Sequence, residues 1–295
     1  MSQTTFSDTL SDISSPPATL VKRSLKERLD SFPWWFVALI LILVATYTAI
    51  ILEPTYAEAF AFIKAGLGVT VKVTLWAFGI AILLGLIAGM GRISRNIVSR
   101  NLATLYVEFV RGVPMLVLIF FIALVAVPVF VTGINNIGNW LESLGWQAAA
   151  VPLQKLDGKS VDMTVRAVVA LSITYGAFLA EIFRAGIQSV DKGQMEAARS
   201  QGMSHIQAMY YIIMPQAIRN VLPALGNDFI ALLKDSSLVS VLAVREITQI
   251  AKLYGARTFR FPEAYTITAI LYLTITLVLS LLVKLVERRT RQDER

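Results

Sequence analysis

Residues 33–52 contain no charged side chain, and this run constrains the fold more than any other feature of the chain. Trp34 and Trp35 stand at its start. A helix needs about 20 mostly apolar residues to cross the hydrocarbon core of a bilayer. Because backbone polar groups find no water there, a spanning segment must pair them within the protein, as a helix does. The run therefore predicts a membrane-spanning helix.

Further apolar segments follow along the chain, and together they predict an all-α, polytopic membrane protein. They are separated by polar connections at 91–104, 132–162, 188–219 and 245–264. The six predicted spans are 33–52, 69–90, 105 or 114 to 131, 163–187, 222–244 and 265–286.

The composition supports a membrane protein and excludes several functional classes. Hydrophobic residues make up 56% of the chain and charged residues 16%, against about 45–50% and about 25% in soluble domains. This composition excludes a disordered or nucleic-acid-binding protein. The chain has no Cys and one His, His205. It therefore lacks thiolate nucleophiles and disulfides, and a histidine-ligated metal site or a histidine triad is not expected. His205 is expected to be solvated.

The distribution of Lys and Arg predicts that both termini are cytoplasmic. Cytoplasmic segments carry an excess of Lys and Arg, and with this orientation they hold 17 of the 27. The segment 245–264 departs from the trend, because it places four basic residues outside. Residues 1–32 are read as a polar cytoplasmic tail. The alternative is a cleaved leader ending at Ala57-Glu58-Ala59, although its length would exceed the usual range of about 15–30 residues.

Ionisable residues inside spans are costly unless they face a cavity, a partner or the surface. Lys72 and Arg166 lie close enough to the outer ends of their spans to reach the surface. Glu181 and Arg184 are three residues apart on one helical face, so they are able to pair. A structural pair and a role in a solute pathway both remain open for them.

The fifth predicted span has four polar residues near its middle, Lys234, Asp235, Ser236 and Ser237. Transporters commonly hold solute at the midplane, between broken helices. A role along a solute path is therefore favoured for this group. The alternative is an interhelical polar contact that fixes packing.

Two glycine-containing patterns have no functional meaning in this interpretation. Gly158-Lys159-Ser160 imitates the end of a phosphate-binding loop, but Leu153 occupies the position where that loop needs a glycine. The chain is therefore expected to have no ATP site of its own. Gly85 and Gly89 are four residues apart, a spacing that lets two membrane helices approach closely.

The connection between the fourth and fifth spans carries the most specific pattern. Its residues predict a short helix, a break at Gly202, a second helix capped by Ser204 and a stop at Pro215. Met195, Met203 and Ile206 are expected to be exposed. Such a helix-turn-helix suits docking into a groove on another protein.

The same connection resembles the coupling-loop signature of membrane subunits of bacterial ABC transporters. That signature is matched at fixed spacing by Glu196, Ala197, Ala198, Gly202, Ile212 and Pro215, with Met214 in place of the usual Leu. Segments 109–114, 177–187 with Gln194, 222–230 and 233–238 are similar, in this order, to permeases for polar amino acids of the histidine, glutamine and glutamate type. The resemblance covers about residues 60–288 and leaves out the first 55.

The resemblance implies a MetI-like fold with a five-helix ABC importer permease core at 60–288. An extra N-terminal helix at 33–55 and a cytoplasmic tail at 289–295 are added to this core. The chain is expected to be the permease subunit of an ATP-driven amino-acid importer in the bacterial inner membrane. It would have no catalytic residue, metal site or cofactor of its own. The implied partners are cytoplasmic ATPase subunits that use ATP and Mg, a second permease subunit, an external solute-binding protein and membrane lipid.

Residue roles follow from the same resemblance. Glu196, Ala197, Ala198 and Gly202 would form the docking helix and its turn. The candidates for the solute path are Asn227, Lys234, Asp235, Ser236 and Ser237, with Glu181 and Arg184 as gating or pairing residues. A secondary, ion-coupled amino-acid transporter is the main alternative, and a channel or a purely structural membrane subunit is the second. Within the ABC class, opines or cystine are alternative substrates.

Overall fold

In the computed structural model, which describes residues 34–155 and 161–292, every regular element is helical, as the sequence predicts. Short 3₁₀ segments cover Lys64–Gly66 and Ser236–Leu242, and π-helical turns cover Ile122–Ala126 and Met209–Ile213. The α-helices in chain order are α1 (Trp34–Leu52), α2 (Pro54–Ile63), α3 (Leu67–Ile93), α4 (Ile97–Gly112), α5 (Met115–Phe121), α6 (Val127–Ser143), α7 (Gln147–Gln154), α8 (Met163–Gln188), α9 (Lys192–Ser200), α10 (His205–Ala208), α11 (Met214–Asp235), α12 (Ile247–Thr258) and α13 (Phe261–Gln292).

The chain divides into two units, with the boundary between Ala45 and Thr46 inside α1. The described part of the first unit, residues 34–45, is helical throughout. The second unit contains the end of α1 and everything after it. Within this unit, Ile50 is buried and the Tyr47 hydroxyl forms a 3.0 Å hydrogen bond with Thr274 of α13. The last turns of the extra N-terminal helix are therefore part of the core.

Most predicted spans coincide with long apolar helical segments. Among the described residues, four such segments are long enough to cross a membrane, and a shorter apolar helix covers Val37–Leu52. The four are Pro54–Ile93, Met115–Ser143, Met163–Gln188 and Phe261–Val286. The prediction is wrong at the fifth span, 222–244. There the α-helix ends at Asp235, and a 3₁₀ segment follows until Ala243, whose φ of 58° is left-handed. The polar run 234–237 interrupts both the apolar pattern and the helix.

The third span begins at Met115, the later of the two predicted starts. Pro114 lacks an N–H and precedes the first turn of α5, while Val113 is extended and ends α4. The polar connections are largely helical, which the sequence analysis predicted only for 188–219. Residues 132–143 continue α6, and α7, α9 and α12 occupy much of the remaining connections.

Small residues bring α3 and α8 into close contact at the centre of the main core. A Cβ added at Gly85 would lie 2.6 Å from Leu179 Cβ, and one at Gly89 would lie 2.8 Å from the Ala180 carbonyl oxygen. Ala77 and Ala81 of α3 are fully buried on the same helix. The predicted packing role of Gly85 and Gly89 is confirmed.

Arg166 corrects one expectation, because its side chain does not reach the surface. Arg166 is 7% exposed, and it donates to the carbonyl oxygens of Val161 (3.1 Å) and Ala123 (3.0 Å). Ala123 lies in a π-helical turn, where its carbonyl would pair with the N–H of residue 128. Residue 128 is a proline and has no N–H. Arg166 therefore satisfies a buried carbonyl that the helix leaves unpaired. Lys72 is exposed, as expected.

Asp162 begins α8 as its N-cap, with the backbone N–H of Thr164 donating to its carboxylate at 2.7 Å. Hydrogen bonds from the Thr164 side chain and backbone lower the pKa of this carboxyl. The tail 1–32, Gly158-Lys159-Ser160 and the last three residues lie outside the described residues.

Candidate functional site

The predicted helix-turn-helix between the fourth and fifth spans is present in the structure. Asp191 caps α9 by accepting a hydrogen bond from Gly193 N–H at 2.6 Å. Gly202 follows α9 with φ of +83°, a conformation that strongly favours glycine. Ser204 and Gln207 form a reciprocal capping box that starts α10, with N···O distances of 2.9 and 3.2 Å. Local sequence signals thus place the break and both helix starts correctly.

Pro215 does not end the second helix, contrary to the prediction. α10 continues through the π-helical turn Met209–Ile213 into α11, where Pro215 lies in the first turn. The π-helical turn shifts the preceding backbone hydrogen bonds to the i→i−5 pattern, which accommodates a residue that has no N–H. The wide turn places the start of α11 just before Pro215, and Met214 N–H bonds to the Met209 carbonyl. α10 is consequently joined to α11 by continuous helix.

The coupling segment, defined as residues 191–215, presents a mixed surface. Ala198 is buried, whereas Glu196 and Ala197 are exposed on α9. Ile206 is 79% exposed, while Met195 and Met203 are half-buried rather than exposed as predicted. Ile187 of α8 and Val190, just after that helix, pack against Ile213 and Ala217, with Ile212 at the edge of that cluster. The segment is thereby anchored while its outer surface stays open to a partner.

A second group of site residues surrounds the Glu181 carboxylate. Arg184 donates to it through Nε (2.9 Å) and Nη2 (2.8 Å), so the predicted pair exists. Arg92 also hydrogen-bonds to Glu181, and Arg111 Nη1 lies 3.5 Å from it. Arg92 additionally contacts Glu108 at 3.1 Å. This cluster, called here the Glu181 cluster, ties the ends of α3, α4 and α8 together.

Sequence reasoning missed Arg92, Glu108 and Arg111 as members of this cluster. The contacts span 89 residues from Arg92 to Glu181, and local spacing carries no signal for them. The charge distribution did place Arg92, Arg111 and Arg184 on the same side of the membrane. Because three guanidinium groups and two carboxylates meet, the cluster retains a positive charge.

The polar residues at the end of α11 separate into different environments. The Tyr175 hydroxyl donates to Asp235 Oδ2 at 2.7 Å. Ser236 is fully buried and donates to the Leu233 carbonyl at 2.7 Å, whereas Ser237 is half-buried. Lys234 is exposed, and it forms no ion pair with any residue that the structure describes. Mutual pairing of Lys234 and Asp235 is thus not observed.

Asn227, the remaining path candidate, is exposed two turns before Asp235. Tyr175 was not predicted, although its place in α8 opposite the end of α11 makes it the partner of Asp235. Phe178 connects this pair with the Glu181 cluster. Its ring centroid lies 5.9 Å from that of Tyr175 and 6.0 Å from the Arg111 guanidinium carbon. A carboxylate and a guanidinium are therefore linked through two aromatic rings.

Comparison with protein families identifies a match over most of the chain. The family described as "Binding-protein-dependent transport system inner membrane component" matches residues 81–292. The probable glutamine ABC transporter permease protein GlnM of Bacillus subtilis (strain 168) is 41% identical over 192 residues, which cover 65% of this chain and 76% of that protein. The glutamine transport system permease protein GlnP of Escherichia coli (strain K12) is 34% identical over 224 residues, covering 75% and 90%.

Solved structures agree with this result. A crystal structure of an amino acid ABC transporter with histidines matches with a TM-score of 0.62 and 38% identity, covering 79% of this chain and 95% of that chain. An inward-facing structure of the MetNI methionine ABC transporter matches with a TM-score of 0.60 at 16% identity. The second match supports the fold alone.

Proposed function

The chain belongs to the family of binding-protein-dependent transport system inner membrane components, and we propose that it forms the path by which a polar amino acid enters the cell. It is a membrane-spanning ABC permease subunit. The relatives are permeases of ABC transporters, so the alternative of an ion-coupled secondary transporter is not retained. The observation that carries the proposal is the coupling segment, which is anchored on one side, exposed to solvent on the other, and turns at Gly202 with a left-handed backbone.

The amino-acid substrate is supported by the relatives, several of which are named as glutamine or amino-acid permeases. The chemistry of the helices is compatible with such a cargo. Asp235 offers a carboxylate oxygen to an ammonium group, and Tyr175 holds that carboxylate in place. Asn227, Lys234 and Ser237 add polar groups along the same helix end. An amino acid would meet these groups as it crosses the middle of the membrane.

The coupling segment docks on a cytoplasmic ATPase subunit in this proposal. Glu196 and Ala197 are exposed to solvent, whereas Ala198 is buried where α9 packs against the rest of the chain. ATP and Mg would be bound by the partner, and this chain does no covalent chemistry. Closure of the ATPase dimer would pull the coupling segments together and open the path outward. Hydrolysis would then return the path to its inward-open state.

The assembly requires further partners. A second permease subunit, either a second copy or a paralogue, would enclose the path, and an external solute-binding protein would deliver the amino acid. The Lys and Arg distribution favours a cytoplasmic position for the coupling segment and for both termini. The continuous helix from α10 through α11 offers a direct mechanical link from the ATPase to Asp235.

The test compares two exposed alanines, one on the coupling segment and one on a helix outside it. Ala197 is on α9, and Ala148 on α7 is exposed in the same way. We expect Ala197→Asp to abolish co-purification of the ATPase subunit and ATP-driven glutamine uptake in vesicles. Ala148→Asp should preserve both. If Ala197→Asp retains the ATPase and full uptake, the coupling segment does not dock there.

Two glycines provide a second matched pair, because both are left-handed and an added Cβ would contact nothing. Gly202 has φ of +83° and Gly145 has φ of +84°. An alanine at either position costs about 1–2 kcal/mol of backbone strain. We expect only Gly202→Ala to weaken ATPase binding. Equal losses in both variants would indicate a general folding defect instead.

A further inference from the structure

An open groove of about 660 Å³ lies between the end of α3 and the helix that starts at His205. Its volume falls within the range of about 300–1,000 Å³ that is typical of ligand pockets. The walls are formed by apolar side chains of α3 and of the α10–α11 helix, namely Leu86, Met90, Ile93, Met209 and Met214. Methionine side chains adapt to irregular apolar partners, so these walls suit a flexible chain.

The mouth of the groove carries the positive charge of Arg95. Arg95 and His205 both line it and both are exposed, beside the polar side chains of Ser94 and Asn96. None of the residues that line the groove in the described part of the chain is acidic. Arg95 also forms no ion pair with a described residue, in contrast to Arg92 one turn earlier, which contacts two carboxylates. The guanidinium of Arg95, which no described carboxylate neutralises, therefore lies at the end of the apolar groove.

The position of the groove relative to the membrane determines what can fill it. Leu86 and Met90 belong to the spanning segment Pro54–Ile93, and Arg95 follows directly after its end. The groove thus runs from the hydrocarbon level to the headgroup level. Basic pockets between membrane helices on the cytoplasmic side bind anionic lipid headgroups.

We propose that this groove is a binding site for one anionic phospholipid of the inner leaflet. The acyl chain would lie along Met90, Met209 and Met214, and the phosphate would accept hydrogen bonds from Arg95 and His205. The inference rests on the proposed function in one respect, the assignment of the coupling segment to the cytoplasmic side. A lipid here would contact both α3 and the helix that links the coupling segment to α11.

The first test measures lipid retention by the full chain purified with its ATPase partner. Native mass spectrometry would count dioleoyl phosphatidylglycerol and dioleoyl phosphatidylcholine that remain bound after detergent exchange. A basic residue near an anionic surface contributes about 1 kcal/mol, or about fivefold in affinity. We expect Arg95→Gln to lower phosphatidylglycerol retention about fivefold. Arg100→Gln removes the same charge from an exposed residue outside the groove and should change nothing.

A second measurement locates the lipid. The chain has no Cys, so Met90→Cys and Leu83→Cys each give one labelling position on α3. Leu83 is 63% exposed and does not line the groove. We expect brominated phosphatidylglycerol to quench a fluorophore at residue 90 more strongly than brominated phosphatidylcholine does, and both lipids to quench residue 83 equally.

Three results would overturn the inference. One is equal loss of lipid in Arg95→Gln and Arg100→Gln, and another is equal quenching by the two lipids at residue 90. The third is protection of residue 90 from both lipids by a second copy of the chain or by the ATPase, which would make the groove a protein interface. Co-purification of the ATPase is recorded in the same samples. If the ATPase is retained while lipid selectivity is absent, this inference fails and the proposed function stands.

Discussion

The Tyr175 hydroxyl donates a hydrogen bond to Asp235 Oδ2 over 2.7 Å, which joins α8 to the last residue of α11. The hydrogen bond forms where the α-helix gives way to a 3₁₀ segment. A hydrogen bond to a charged acceptor contributes about 1.5–3 kcal/mol. This contact therefore fixes the orientation of the only carboxylate among the proposed path residues of α11.

Asp235→Asn tests the charge separately from the hydrogen bond. The amide oxygen of asparagine still accepts from Tyr175, so the loss of stability should be limited to the difference between a charged and a neutral acceptor, about 1–1.5 kcal/mol. We expect ATP-driven amino-acid uptake to fall at least tenfold, because the ammonium of the amino acid loses its charged acceptor. Uptake in vesicles and thermal unfolding in detergent are the two measurements. Uptake at the unmodified level would remove Asp235 from the path.

Tyr175→Phe tests the positioning hydroxyl against a matched tyrosine. Tyr47 forms a 3.0 Å hydrogen bond with the neutral hydroxyl of Thr274, away from the proposed path. We expect Tyr175→Phe to reduce both stability and uptake. Tyr47→Phe should cost only about 0.5–1.5 kcal/mol of stability and leave uptake intact. If the two variants transport equally well, the hydroxyl of Tyr175 has no role in the path.

Glu181→Gln is expected to destabilise the protein strongly. The substitution removes the only carboxylate that Arg111 and Arg184 contact in the described ion pairs, and it leaves three guanidinium groups close together. We expect a loss of about 1.5–3 kcal/mol, seen as a lower unfolding temperature in detergent. Glu58→Gln is the control, because the Glu58–Arg260 pair is largely exposed and should contribute less than about 1 kcal/mol. Similar shifts in both variants would argue against a clustered role for Glu181.

The features that were predictable from sequence are those set by neighbouring residues. The thickness of the bilayer sets the length of a spanning helix, so such helices were predictable at 33–52 and 163–187. The structure has apolar helices at Val37–Leu52 and Met163–Gln188. Gly202 and Ser204 were identified because backbone angle and capping are local properties. The Glu181–Arg184 pair followed from the helical spacing of three residues.

The features that were missed depend on contacts across the chain or on unusual helix geometry. Arg92 meets Glu181 only because α3 and α8 pack together, which residue spacing does not reveal. Pro215 was predicted to stop a helix, but the preceding π-helical turn lets the helix continue. The end of α11 at Asp235 was missed because the predicted span ran on into apolar residues up to Val244.

Gly85→Ala should be destabilising, although alanine is the better helix former. The new methyl group would lie 2.6 Å from Leu179 Cβ, so α3 and α8 would have to separate. Overpacking of this kind costs about 1–3 kcal/mol. Gly79 lies on the same helix with nothing near an added Cβ, so Gly79→Ala should be neutral or stabilising by up to about 1 kcal/mol. Unfolding temperatures in detergent measure both effects, and a stabilised Gly85→Ala variant would contradict the close approach.

Arg166→Met should reveal the relationship between Arg166 and Pro128. In the unmodified chain, Arg166 donates to the Ala123 carbonyl, which the proline leaves without an N–H. A buried acceptor without a partner costs about 1–3 kcal/mol. We expect Arg166→Met to lower the stability by this amount when Pro128 is present. In a Pro128→Ala background the alanine supplies an N–H, so the same substitution should cost less. A double-mutant cycle measured by unfolding in detergent gives the difference, and strictly additive losses would show that Arg166 does not compensate for the proline.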